Sequence, residues 1–177
     1  PAEVEAVLVG MAERYDVVVT AADGVFPLVA LAEGKNALAR ALLSTGAGSA
    51  PDPGFQPPEL NKRVGTVEMF SAAPEVDLGA KSDANLPVVL SGDMTKYDWL
   101  INGEPYSKTK PLQVRQGQRA TLAFDNTTMM YHPMHLHGHT FQVIKPDGTP
   151  GPRKDTVNVL PKQKLSAVLA VEHPENT

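Results

Sequence analysis

Four of the five histidines in this 177-residue chain lie within one octapeptide, His132-Pro133-Met134-His135-Leu136-His137-Gly138-His139. Side chains two apart on an extended strand point the same way, so His135 and His137 present two imidazoles on one face. Such a pair is a compact ligand set for a transition metal. His132 lies an odd number of residues from His135 and is expected to face elsewhere, serving a different metal. Imidazole suits copper, zinc, iron and nickel alike, so ligand type alone does not choose among them. A lone His-x-His is as readily an ordinary pair of strand residues; four imidazoles at this density argue against that. His139 shares the parity of the pair and reads as a buried or supporting histidine rather than a ligand.

Other side chains near the cluster allow two readings each. Met129, Met130 and Met134 carry soft thioethers suited to cuprous ions, but adaptable packing is their commoner use. Asp155 could orient a ligand histidine through its carboxylate; a hydrogen bond at a strand end is the plainer role. The chain has no cysteine, which excludes disulfides and leaves the redox compartment undetermined.

The run HPMHLHGHTF, His132 to Phe141, resembles the first copper motif in the last cupredoxin domain of multicopper oxidases such as laccases and copper-resistance oxidases. ERYDVVV at Glu13 to Val19, GDMTKYDWLING at Gly92 to Gly103 and RKDTVNV at Arg153 to Val159 extend the similarity over most of the chain. The resemblance implies that His132 is a ligand of a type 1 copper, His135 of a type 2 copper and His137 of the type 3 pair. Pro133 would set a stiff bend between the two kinds of site. It also implies an all-β fold of cupredoxin-like Greek-key antiparallel sandwiches, incomplete at both ends. The cysteine, second histidine and axial residue of a type 1 site are expected from an HCH-type motif just past Thr177. Two further His-x-His pairs are expected from a preceding domain. His173, in a turn-like HPEN, substitutes for none of these and reads as a surface residue.

On the same resemblance, the parent protein oxidises a reducing substrate (phenolic, organic or a metal ion) in one-electron steps at the type 1 copper. It reduces O2 to water at a trinuclear copper cluster, and this segment alone is expected to be inactive. An extracytoplasmic location is implied. Unpaired strand edges and uncovered apolar faces point to a homo-oligomer, for which the resemblance suggests a trimer. The alternative from another class is a copper-binding or copper-less cupredoxin-like scaffold or interaction module, against which retention of the full histidine motif argues. A zinc hydrolase with HxHxDH needs Asp where His139 stands. A cupin needs a glutamate soon after His-x-His, and Gly138 to Ile144 holds none.

Composition agrees with a globular chain: 42% hydrophobic, 20% charged. The net charge of −4 provides no basic stripe for nucleic acid. No apolar run approaches the roughly 18 residues of a membrane span.

The elements that must position the histidines read as short strands. Tyr15 to Ala21 and Val25 to Ala32 flank Asp23-Gly24, a hairpin signal. Asn36 to Ser44 has helical propensity with Asn36 as N-cap, yet the resemblance favours a strand. Residues 47 to 60, rich in proline and glycine, read as extended linker. Leu112 and Val114, a Gln116-Gly117-Gln118 turn, then Ala120, Leu122 and Phe124 form the pattern of a half-buried hairpin. Asn102-Gly103 marks another hairpin, Trp99 reads as a core anchor, and Leu165, Ala167, Leu169 and Val171 alternate in a late strand. The expected domains are a partial cupredoxin-like unit at 1–48, a linker at 49–85, and a C-terminal cupredoxin-like unit at 86–177 lacking its last strands.

Overall fold

A strand persists only where a neighbour takes up its backbone donors and acceptors. The computed structural model describes residues 1–172, and its strands stand where that condition is met. His173 lies outside the described residues. The chain divides into two units, one comprising residues 4–7 and 15–65, the other residues 1–3, 8–14 and 66 onward. The boundary therefore falls inside the 49–85 stretch, between Gly65 and Thr66.

In the smaller unit β1 (Ala6–Val7) pairs in parallel with β4 (Val64–Gly65), and β2 (Val25–Ala32) pairs antiparallel with β3 (Ala37–Ser44). The hairpin turn is at Glu33 to Asn36, not at Asp23-Gly24. Asn36 sits at φ 47°, a left-handed turn position that asparagine tolerates, rather than at a helix cap. Eight residue pairs between β2 and β3 override the helical propensity of NALARALLS. Tyr15 to Ala21 is not a strand, and Val17, Val18 and Val19 are exposed. The proline-rich stretch is tied down, because Arg40 donates from Nη1 to the carbonyls of Pro51 and Asp52 at 2.7 and 2.9 Å.

The larger unit holds β5 (Ala84–Asp93), β6 (Asp98–Ile101), β7 (Glu104–Pro105), β8 (Arg119–Asn126), β9 (His132–His135), β10 (Phe141–Ile144), β11 (Pro150–Lys154), β12 (Thr156–Val159) and β13 (Lys164–Ala170). Seven of these form one sheet in the order β11-β10-β13-β8-β5-β6-β7, and β9 pairs with β12. Ala120, Leu122, Phe124 and Asn126 alternate inward along β8, and Leu165, Ala167 and Leu169 along β13. Val157 and Val159 of β12 share their core, so the small sheet packs on the large one. This is the cupredoxin-like all-β arrangement.

Two departures from the sequence pattern have physical reasons. Leu112 and Val114 are not in a strand, since β8 takes β13 and β5 as neighbours and leaves them none. The β5–β8 pair is parallel: β6 occupies one edge of β5, and the connection over residues 106–118 returns the chain so that β8 runs along the other edge in the same direction. The Asn102-Gly103 turn is as expected, with both residues at positive φ (53° and 80°), the geometry of a type I′ hairpin.

The segment preceding Tyr15 anchors β12. Glu13 is buried, and accepts from the Gly10 N–H at 2.8 Å and from the Asn158 N–H at 3.1 Å. Lys154 Nζ stands 3.8 Å from the same carboxylate, with side chains 9% and 1% exposed. Gly10 must be glycine for this approach, because a Cβ there would meet Asn158 Cβ at 2.8 Å. Arg14 adds a 2.7 Å ion pair to Asp155. Removing Glu13 takes the acceptor from two backbone N–H groups and the nearest carboxylate from the Lys154 ammonium. Glu13→Ala is therefore expected to cost about 3–5 kcal/mol in urea unfolding, whereas a loss under about 0.5 kcal/mol, typical of a surface site, would refute this anchoring role.

Candidate metal centre

The register of β9 on β12 decides where each histidine stands: His132 lies opposite Val159 and His135 opposite Thr156. Strand alternation turns positions three apart to opposite faces. His132 and His135 accordingly have different neighbours.

His132 is half-buried. Its ring meets the edge of Trp99 at 5.9 Å between centroids and 74° between planes, and its Nε2 lies 2.8 Å from Thr128 Oγ1. Trp99 is 38% exposed, so it is a flank to this histidine rather than the core anchor expected. Burial pushes the His132 imidazole below its ordinary range, since desolvation disfavours the cation. A folded-state value below the unfolded one means that the unfolded chain binds more protons in the window between them. Its contribution to stability is thus present above the unfolded histidine value and is lost as pH falls through the lowered one.

His135 and His137 are exposed, with ring centroids 5.0 Å apart and planes tilted by 55°. The strand ends at His135, and His137 stands in the turn with Gly138 at φ 72°. The two rings come together through this turn, not through the strand alternation expected. His135 Nδ1 lies 2.9 Å from the Asp155 carbonyl and 3.0 Å from Thr156 Oγ1. A carbonyl only accepts, so Nδ1 carries the proton and Nε2 keeps the lone pair available to a metal. Asp155 thus orients this ring through its backbone; its carboxylate is held by Arg14, whose hydrogen bond also draws the acid below its ordinary value.

His139 is buried, and neither ring nitrogen has a hydrogen-bond partner among the described residues. It lines a cavity of about 380 Å³ together with His135, Arg153, Asp155 and Glu172. Met134 packs against the core while Met129 is 75% exposed, so packing explains only the former. A second, apolar cavity of about 550 Å³ is lined by Val88, Leu122, Phe124 and Phe141 of the large sheet and by Met134 and Leu136.

Sequence reasoning missed Asn126, Thr128 and Thr156, the polar groups that contact the ligand candidates or support their contacts. The signal for the first two was an Asn-x-Thr run four residues before His132, a common local turn device. Among the described residues no three His, Cys, Asp or Glu side chains converge on one point. The imidazoles suit copper in donor type and in their free ring nitrogen, as partial ligand sets.

A family model described as multicopper oxidase matches residues 80–176. The chain is 74% identical over 175 residues to multicopper oxidase MmcO of Mycobacterium tuberculosis, covering 98% of this chain and 35% of that one. It is 31% identical over 115 residues to copper resistance protein A of Escherichia coli, covering 65% of this chain and 19% of the relative. The chain spans about a third of the first relative's length and a fifth of the second's. Among solved structures, McoA multicopper oxidase from the hyperthermophile Aquifex aeolicus superposes with a TM-score of 0.53 at 21% identity, over 85% of this chain and 34% of that one. A laccase from Botrytis aclada gives 0.54 at 18%, over 76% and 32%. At such identities the two structures bear on fold alone.

Proposed function

Because the chain belongs to the multicopper oxidase family, whose metal is copper, we propose that it supplies ligands to two separate copper centres of a larger oxidase. In this reading His132 holds the type 1 copper, His135 the type 2 copper and His137 one of the type 3 pair. Bound copper supplies one-electron oxidation of a reducing substrate at the first centre and reduction of O2 to water at the trinuclear cluster.

The observation that carries the reading is the division of the histidine motif between two surroundings. His132 is flanked by Trp99 and Thr128; His135 is held by the Asp155 carbonyl and Thr156, beside His137. Pro133 and Met134 form a two-residue covalent link between His132 and His135. Trp99 shields one side of the His132 ring from water, and the Asp155 carbonyl holds the His135 proton on Nδ1. With no cysteine in the chain, the thiolate of a type 1 site has to come from elsewhere, so the segment alone is inactive. The 1–48 and 86–177 portions are read as parts of two cupredoxin-like domains. O2 and a reducing substrate are the reactants, and the location is extracytoplasmic. Exposed Val17, Val18 and Leu28 in the smaller unit favour a homo-oligomer, a trimer on this reading; a monomer by light scattering at micromolar concentration would remove that part.

The test of ligand roles uses a full-length oxidase carrying this segment. His132→Ala is expected to abolish the type 1 optical and paramagnetic signals while leaving the trinuclear ones, and His135→Ala or His137→Ala the reverse. A normal type 1 spectrum in His132→Ala would contradict the assignment.

A further inference from the structure

The hydrogen bonds around Thr128 determine which nitrogen of His132 carries its proton. Asn126 is fully buried, and its Nδ2 donates to the carbonyls of Met130 at 2.7 Å and Leu160 at 2.8 Å. Carbonyls only accept, so the amide orientation is fixed and Oδ1 faces the Thr128 side. That oxygen accepts the Thr128 N–H at 2.9 Å and the Thr128 hydroxyl at 2.8 Å. The hydroxyl has one proton, and Asn126 Oδ1, which cannot donate, takes it. Thr128 Oγ1 also accepts from the Met130 N–H at 3.1 Å. What remains for His132 Nε2, 2.8 Å away, is a lone pair. The ring nitrogen must therefore be the donor.

We propose that Thr128, held by Asn126, is a positioning residue that fixes His132 with its proton on Nε2 and its lone pair on Nδ1. The functional meaning rests on the reading of His132 as a copper ligand: Nδ1 is the atom presented to the metal. His135 is held the opposite way, with the proton on Nδ1. Two ligands three residues apart thus offer different nitrogens because different oxygens grip them. Partners that orient a ligand imidazole in this manner lock both tautomer and ring plane. Asn126 spans the core and the turn after β8, so the grip on His132 is tied to the fold itself.

The experiment is a long-range proton–nitrogen correlation spectrum of the metal-free, 15N-labelled chain at neutral pH. His132 is expected to show a protonated Nε2 and a bare Nδ1, with a ring N–H resonance protected from exchange with water. Thr128→Val keeps the side-chain shape without the hydroxyl and should lose that resonance to exchange, whereas Thr128→Ser should retain it. Backbone amides of β8 and β13 report whether each variant is folded. A proton on Nδ1 of His132 in the wild-type chain, or an equally protected Nε2–H in a folded Thr128→Val, would overturn the proposal. Should Thr128→Val not fold, the wild-type and Thr128→Ser spectra still decide it, since Nδ1–H in either refutes it. Copper loading of a full-length oxidase carrying this segment separates the two ideas: a normal type 1 spectrum in its His132→Ala variant removes the ligand reading and leaves the tautomer result standing.

Discussion

The placement of His132 and His135 hangs on four residue pairs, those that join β9 to β12. The pairing places His132 opposite Val159, a core residue, and His135 opposite Thr156, whose hydroxyl it reaches. A slip of one residue would exchange the faces of both histidines. Pairs in so short a ladder contribute little individually, so the register has to be held from outside it. Val157 and Val159 do so on one side, fully buried against the seven-stranded sheet. Full burial of a valine side chain is worth roughly 1.5–3 kcal/mol, and a slipped register would forfeit it.

The second hold on β12 comes from far away in sequence. Glu13 takes the Asn158 N–H and faces the Lys154 ammonium, and Arg14 pairs with Asp155. An ion pair as exposed as that of Arg14 adds little by itself. The buried carboxylate matters more, because it accepts two backbone N–H groups and faces an ammonium that burial already pushes downward. The Asp155 carbonyl, fixed between these residues, is the acceptor that orients His135. A charge cluster around residues 10–14 thus sets the direction of an imidazole at 135 through one strand.

Much of this was legible in the sequence wherever the information is local. The alternation of Ala120, Leu122 and Phe124, the Asn102-Gly103 turn and the late strand to Ala170 follow from period and turn chemistry. So does the separation of His132 from His135. What escaped depends on partners that sequence does not reveal. VVV at 17–19 has strand composition and no strand partner among the described residues; NALARALLS has helical composition and a neighbour that makes it a strand. Trp99 looked like core and stands half-exposed against an imidazole. Asp155 was noticed for its carboxylate, yet it is the carbonyl that touches histidine, and every residue has one of those. Asn126 and Thr128 passed as turn residues because a hydrogen-bond relay is a property of atoms in space.

With the ligand roles proposed above, one short strand serves two copper centres through different nitrogens, and the decisive measurement is an anomalous-scattering map at the copper edge from crystals of a full-length, copper-loaded oxidase that contains this segment. Separate copper peaks are expected, one bonded to Nδ1 of His132 and another to Nε2 of His135, with His137 reaching a third. A single peak shared by His132 and His135, or a copper on Nε2 of His132, would contradict this assignment.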